Sequence, residues 1–188
     1  MQQYIGTTLL FSFILTVLFR SINLKKQGIQ AVEFGEKDKK DLIIPPFAFL
    51  YFYLLVAYTF HLPTIPYQQL FYSELIAWIG VSLCISAFLF FIWTLISFKT
   101  SFRVGLVDNT AQGLITSGAF AISRNPIYVS FAILLAGQFL IYPSWILLLY
   151  LPAAVFTFHR QVIREEVFLK EQYGKEFEGY CKKVRRYL

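Results

Sequence analysis

The chain has 188 residues, of which 57% are hydrophobic and only 15% are charged. Soluble domains carry about 25% charged residues, and disordered or coiled-coil chains are still more polar, so composition excludes these classes and indicates an integral membrane protein. The formal net charge of +6 would suit a nucleic-acid-binding protein, but the placement of the cations argues against that interpretation.

Four long stretches of the chain contain no Asp, Glu, Lys or Arg. They are residues 1–19, 42–73, 75–98 and 125–159. A membrane-spanning helix needs about 20 apolar residues. The first three stretches therefore predict one span each, at Tyr4–Phe19, Ile43–His61 and Leu75–Phe98.

The fourth stretch is too long for one span and short for two. Tyr142-Pro143-Ser144 divides it, which predicts a tight helical hairpin of Pro126–Ile141 and Trp145–Phe158. Arms of this length fit a thin membrane, or helix ends that line a polar cavity within the protein.

All seventeen Lys and Arg residues lie in only three places along the chain. They follow span one, span three or span five, and the other two connections contain none. The positive-inside rule places that face in the cytoplasm, with the amino terminus outside and the carboxy terminus inside. The membrane would be the inner membrane of a bacterium or the endoplasmic reticulum of a eukaryote. We expect these cations to contact membrane lipids rather than nucleic acid.

An apolar stripe recurs at helical spacing beyond span five, with lysines away from it. Its members are Leu169, Tyr173, Phe177, Tyr180 and Val184. This pattern predicts a basic amphipathic helix on the cytoplasmic leaflet. The predicted fold is thus all-α and polytopic, with five transmembrane helices and a cytoplasmic amphipathic helix. Residues 1–98 would form a three-helix region, and residues 99–188 would carry the candidate site.

Two cytoplasmic segments have the composition of a binding site. Residues 99–128 contain three glycines and end at a helix start, where a backbone can approach a ligand closely and bind an anionic group. An ordinary surface loop would look similar. In residues 159–169, Glu165 and Glu166 are adjacent and point about 100° apart on a helix. One can face a pocket while the other faces Arg or water, although charges at a membrane boundary often only anchor a helix.

The order of several motifs resembles the isoprenylcysteine carboxyl methyltransferase family, within a broader group that includes membrane phospholipid methyltransferases. The matching segments are Gly118–Tyr128, Gly137, Arg164-Glu165-Glu166 and residues 173–184. The resemblance implies a methyltransferase that uses S-adenosylmethionine and acts on a lipid or a prenylated or otherwise lipidated acceptor. It would act at the cytoplasmic face of the membrane.

The resemblance also implies roles for individual residues. The cofactor-binding residues would be Gln112, Gly113, Leu114, Ile115, Phe120, Arg124, Asn125, Pro126, Ile127, Tyr128 and Glu165. The catalytic residues would be Arg160, Glu165 and Glu166. Arg124 could pair with the cofactor carboxylate or with Glu166. No metal site is expected, because the two histidines lie on opposite predicted faces of the membrane.

Two positions depart from the family pattern. Asn125 replaces a histidine, and Gln161 stands where the family has a substrate-binding arginine, with Arg160 one residue earlier. Either Arg160 turns into the site, or the acceptor lacks the carboxylate that this arginine would bind. Two other functions stay open. One is a membrane reductase similar to the steroid 5α-reductases, with NADPH as cofactor, and the other is a non-catalytic membrane module.

Overall fold

A computed structural model describes residues 1–26, 44–63, 69–98 and 113–188. Five α-helices and one short 3-10 helix make up this part of the chain. They are α1 (Gln2–Lys26), α2 (Ile44–Thr59), α3 (Glu74–Phe98), the 3-10 helix (Gly118–Ala121), α4 (Pro126–Ile141) and α5 (Trp145–Lys183). The described residues form no β-strand beyond one isolated bridge, so the all-α prediction is confirmed for them.

Three of the helices, α1, α3 and α5, are long and apolar enough to cross a membrane. The other two, α2 and α4, are apolar but shorter. Helix α4 has the predicted bounds. It begins at Pro126 because a proline at the first helical position loses no hydrogen bond through its missing N–H. The five-span count stays a prediction.

Two contacts show which helix ends and which connections lie together. The buried Gln138 side chain near the end of α4 donates a hydrogen bond to the Gly6 carbonyl at the start of α1, at 2.7 Å. The connection before α3 joins the α4–α5 turn, because the Leu70 amide donates to the Pro143 carbonyl at 2.8 Å. The two connections that lack cations therefore lie at the same end of the bundle.

Helices α3 and α4 approach each other through two glycines. A Cβ added at Gly80 would lie 2.6 Å from the Gly137 carbonyl oxygen, and one added at Gly137 would lie 2.7 Å from Cys84 Sγ. Small residues allow such close backbone approach between apolar helices. This contact sets the position of α4, and so of the candidate site at its start, against α3.

Helix α5 is not straight. Gly174 has φ 49° and ψ −119°, which is not a helical conformation. Twenty residues of uninterrupted helix would separate Glu166 from Arg186 by about 30 Å, yet their side chains form an ion pair at 2.9 Å. The chain therefore reverses at Gly174, and residues 175–188, here called the return segment, run back along α5.

This reversal overturns the prediction of a separate amphipathic helix on the leaflet. Phe177 and Tyr180 in the apolar stripe are buried, and the Tyr180 hydroxyl donates to the Phe120 carbonyl at 2.6 Å. Phe177 and Tyr180 lie against the protein itself because the turn at Gly174 brings them back towards the start of α4, whereas Leu169 and Tyr173 precede the turn and are half-buried. A helical spacing of apolar residues does not distinguish burial in lipid from burial in protein.

Candidate functional site

The segment that leads into α4 is fixed to the end of α3. Gly118 has φ 66°, and a Cβ at this position would collide with the Ser97 side chain. Ser97 Oγ accepts a hydrogen bond from the Ala119 amide at 3.0 Å. A glycine is required here both for the left-handed backbone and for the close approach.

Phe120 lies inside this segment. Its ring packs edge-on against Phe98 with the ring centroids 4.7 Å apart, and only 8% of the residue is exposed. Its carbonyl oxygen accepts the hydrogen bond from Tyr180 described above. The structure thus buries Phe120 against the end of α3, where its side chain supports the segment that leads into α4.

Tyr128 and Glu165 form the central contact of the site. Tyr128, in the first turn of α4, donates a hydrogen bond from its hydroxyl to Glu165 Oε1 at 2.5 Å. Gln161 Nε2 donates to the same oxygen at 3.1 Å, while Gln161 Oε1 accepts a hydrogen bond from Arg164. Tyr128, Gln161 and Glu165 are all half-buried.

Burial and these contacts act on Glu165 in opposite directions. Removal from water disfavours the charged carboxylate and raises its pKa. The hydrogen bonds from Tyr128 and Gln161 and the positive charge of Arg164 lower that pKa. Burial prevails, so the pKa of Glu165 lies above its ordinary value.

Glu166 points to a different set of partners, as the sequence predicts for adjacent helical residues. Its Oε2 accepts from Arg186 Nε at 3.0 Å and lies 2.9 Å from Arg186 Nη2. Its Oε1 accepts from Asn125 Nδ2 at 3.2 Å and lies 3.4 Å from Arg124 Nη2. We call these four residues the Glu166 cluster. The hydrogen bond that Arg186 donates to Glu166 raises the pKa of Arg186.

The backbone of the return segment also contacts the start of α4. The Arg185 carbonyl accepts from the Arg124 amide at 3.0 Å. The Arg186 carbonyl accepts from Ser123 Oγ at 3.3 Å and from Asn125 Nδ2 at 3.2 Å. The sequence interpretation missed these contacts, because it assigned Arg186 to the lipid-facing cations. A glycine inside a helical pattern, at position 174, was the only available signal.

An open cleft of about 490 Å³ lies between α5 and the return segment. Three members of the Glu166 cluster, Arg124, Glu166 and Arg186, line it, and Glu165 does not. The two carboxylates therefore face different spaces.

Of the four cofactor-binding residues predicted before the 3-10 helix, three lie in the described part of the chain. Gln112 lies outside the described residues. Gly113 is exposed, while Leu114 and Ile115 are half-buried. Their role as backbone ligands of a cofactor stays a prediction.

The remaining predicted residues divide into two groups. Pro126 is fully buried at the start of α4, and Ile127 packs against the core. Arg160 is exposed, and its side chain forms no hydrogen bond or ion pair within the described ranges. The structure brings Asn125, Tyr128 and the Glu pair together, but it does not bring Arg160 to them.

The sequence profile of the phospholipid methyltransferase family matches residues 75–176, which are 102 of the 188 residues. The matched region contains α4 and both carboxylates of the Glu pair. The chain belongs to the phospholipid methyltransferase family. This family lies within the membrane methyltransferase superfamily that includes isoprenylcysteine carboxyl methyltransferases, so the resemblance seen in the sequence is confirmed. No curated protein matches the chain.

Family membership makes the protein a membrane methyltransferase. Methyltransferases of this family typically use S-adenosylmethionine. Neither the family match nor the described contacts support the reductase or the non-catalytic module.

Proposed function

We propose that this phospholipid methyltransferase family member transfers a methyl group from S-adenosylmethionine to a lipid or lipidated acceptor at the cytoplasmic face of its membrane. The contact between Tyr128 and Glu165 supports this proposal most strongly. It joins the two motif segments of the family in a half-buried position next to the apolar part of α5, which ends at Phe158.

The residues present fit the methyl donor, which carries an ammonium, a carboxylate and two ribose hydroxyls. The hydrogen bonds to Glu165 from Tyr128 and Gln161 both fall on Oε1. Glu165 Oε2 accepts none from the described residues and can accept one from an ammonium or a hydroxyl. Arg124 Nε is buried without a hydrogen-bond partner in the described ranges and suits the carboxylate. Arg124 lies on the Glu166 side, so a donor carboxylate bound there leaves a ribose hydroxyl, and not the adjacent ammonium, for Glu165.

The reaction would be an in-line displacement. The bound donor supplies an electrophilic methyl group on a sulfonium sulfur, and a lone pair of the acceptor displaces the neutral sulfide. The task of the protein is then mainly to position the reactants and to exclude water. Tyr128 and Gln161 hold Glu165 in one orientation, and the packing of the Tyr128 ring near Phe158, with centroids 5.8 Å apart, fixes Tyr128 in turn.

An amine or thiol acceptor would also need a base. Three residues could serve, namely Glu165, Glu166 and His159. Both oxygens of Glu166 are engaged by its cluster. His159 is exposed and its Nδ1 is bonded to the Tyr187 hydroxyl at 2.7 Å. Glu165 Oε1 is bonded to Tyr128 and Gln161, and Oε2 is the oxygen assigned above to the donor, so none of the three stands out as the base.

We further infer that the acceptor lacks a free carboxylate. Gln161 is engaged with Glu165 and Arg164, and Arg160 is exposed, so neither supplies a cation to hold such a group. Methylation of a prenylcysteine carboxylate is the specific alternative that the family resemblance implies.

Donor binding to the detergent-purified protein tests the proposal. We expect S-adenosylmethionine and its demethylated product to bind, and we expect Glu165→Ala and Tyr128→Ala to abolish binding. Tyr72→Phe is a matched control, because Tyr72 is 67% exposed in the connection before α3. A folded protein that binds neither compound would refute the proposal.

Methyl transfer from radiolabelled donor then tests the acceptor class. The two acceptors are phosphatidylethanolamine vesicles and a farnesylcysteine analogue. Transfer to the amine lipid is expected, whereas transfer only to farnesylcysteine would refute the inference about the carboxylate.

We propose that the cation-rich connections face the cytoplasm. Labelling of Tyr72→Cys and Lys182→Cys, each combined with Cys181→Ser, with a membrane-impermeant thiol reagent tests this orientation, because both positions are exposed and occupy predicted opposite sides. Cys181 is replaced because its free, half-buried thiol would also react. We expect Lys182→Cys to react only from the cytoplasm.

A further inference from the structure

We propose that Arg186 is a positioning residue that holds the start of α4 in place for the methyl donor. The inference rests on the proposed function, and it concerns a residue that touches neither Tyr128 nor Glu165 in the described contacts. It follows from the Glu166 cluster and from the backbone contacts of the return segment.

Glu166 is buried, with 8% of the residue exposed. A buried carboxylate is stabilised only when its oxygens are paired. Arg186 supplies two of its four contacts, through Nε and Nη2, and both reach Oε2. Arg124 and Asn125 share the other oxygen, at the longer distances of 3.4 and 3.2 Å.

The return segment also restrains the start of α4. The segment 123–125 precedes α4 directly, and three of its polar groups donate to backbone carbonyls at Arg185 and Arg186. Tyr180 fixes the middle of the return segment to Phe120, and the ion pair between Arg186 and Glu166 holds its end, where these backbone contacts form. If the pair is lost, Glu166 Oε1 and the Arg186 carbonyl can both move away from Asn125. The Asn125 side chain would then lose both of its partners.

Segment 123–125 leads directly into the proposed donor site. Tyr128 lies three residues after Asn125, in the same helical turn, and its hydroxyl must reach Glu165 to orient that carboxylate. Glu165 and Glu166 are consecutive on α5. A change in the angle at which α4 begins would therefore be passed directly to the contact between Tyr128 and Glu165.

The test measures the affinity of the full-length purified protein for S-adenosylhomocysteine by calorimetry, which needs no acceptor. We expect Arg186→Ala to weaken binding about tenfold or more, within the usual range for coupled sites. Arg186→Lys keeps the charge but not the paired donors, and should restore part of the affinity. The matched control is Arg185→Ala, because Arg185 is an exposed neighbouring cation whose backbone carbonyl contact the substitution retains.

A double-mutant cycle tests whether Arg186 acts through Glu166. In a Glu166→Gln background, Arg186→Ala should add little further loss, because contacting residues are not additive. Hydrogen exchange gives a readout that a general loss of stability would not reproduce. We expect faster exchange confined to residues 119–128 in Arg186→Ala, with the rest of the bundle unchanged.

The outcomes separate the two proposals. A wild-type protein that does not bind S-adenosylhomocysteine would refute the proposed function, and this inference with it. A wild-type protein that binds, with Arg186→Ala equal to it, would refute the positioning role alone. Faster exchange throughout the bundle would also overturn that role, since Arg186 would then be an ordinary stabilising residue.

Discussion

Replacing Tyr128 by Phe removes one hydroxyl from the candidate site and leaves the ring in place. The ring keeps its contact with Phe158, whose centroid is 5.8 Å away. The hydrogen bond to Glu165 Oε1 is lost. That bond favours the ionised carboxylate, so its loss should raise the pKa of Glu165 further above its ordinary value.

The magnitude follows from the type of bond. Hydrogen bonds to charged groups contribute about 1.5–3 kcal/mol, and we take the lower end because Glu165 is only half-buried. About 1.5 kcal/mol corresponds to at most roughly a tenfold loss of donor affinity, at pH values where Glu165 is ionised in wild type and neutral in the variant. If the donor needs the ionised carboxylate, binding is lost as the pH falls through the pKa of Glu165, and the midpoint should move to higher pH in Tyr128→Phe.

Calorimetric titration of S-adenosylmethionine over a series of pH values measures both quantities. Glu165→Gln is the companion variant, because an amide does not titrate and its weak binding should not depend on this ionisation. Equal affinity and an equal pH midpoint in wild type and Tyr128→Phe would refute the reasoning. The hydrogen bond would then have no part in donor binding.

Three further predictions concern stability, and thermal unfolding in detergent measures each of them. Because burial raises the pKa of Glu165, the folded state favours its neutral form, and this contribution is lost as the pH rises through the raised pKa. Glu165→Gln should therefore unfold at a higher temperature than wild type at neutral pH and lose this pH dependence; a lower unfolding temperature would contradict it. Gly137→Val should destabilise the protein by about 1–3 kcal/mol or more through overpacking, because the added Cβ would meet Cys84 Sγ at 2.7 Å. An unchanged unfolding temperature would show that α3 and α4 can separate freely. Gly174→Ala should cost about 1–2 kcal/mol because of its positive φ, whereas Gly179→Ala meets no neighbouring atom and should be neutral or slightly stabilising.

Local patterns were sufficient to predict several parts of the fold. The bounds of α4 follow from a proline at its start and the Tyr142-Pro143-Ser144 turn at its end. The divergence of Glu165 and Glu166 follows from helical geometry alone. Both features depend on residues close together in sequence, so no tertiary information was needed.

The Glu166 cluster could not be predicted in this way. It joins Arg124, Glu166 and Arg186, which are far apart in sequence, and the last reaches the others only through the reversal at Gly174. Glycine in a helical pattern is tolerated at a cost of about 1 kcal/mol, so its presence alone does not indicate a turn. The same reversal explains why Phe177 and Tyr180 are buried in protein, although their spacing suited a lipid surface.

The reversal at Gly174 places a restriction on chain length rather than on composition. One inserted residue between Gly174 and Arg186 would rotate the helical part beyond it by about 100° and advance it by about 1.5 Å. The guanidinium would then leave Glu166, and the backbone contacts to segment 123–125 would change partners. Many substitutions on the exposed side of the return segment should be harmless, but insertions and deletions there should not be tolerated.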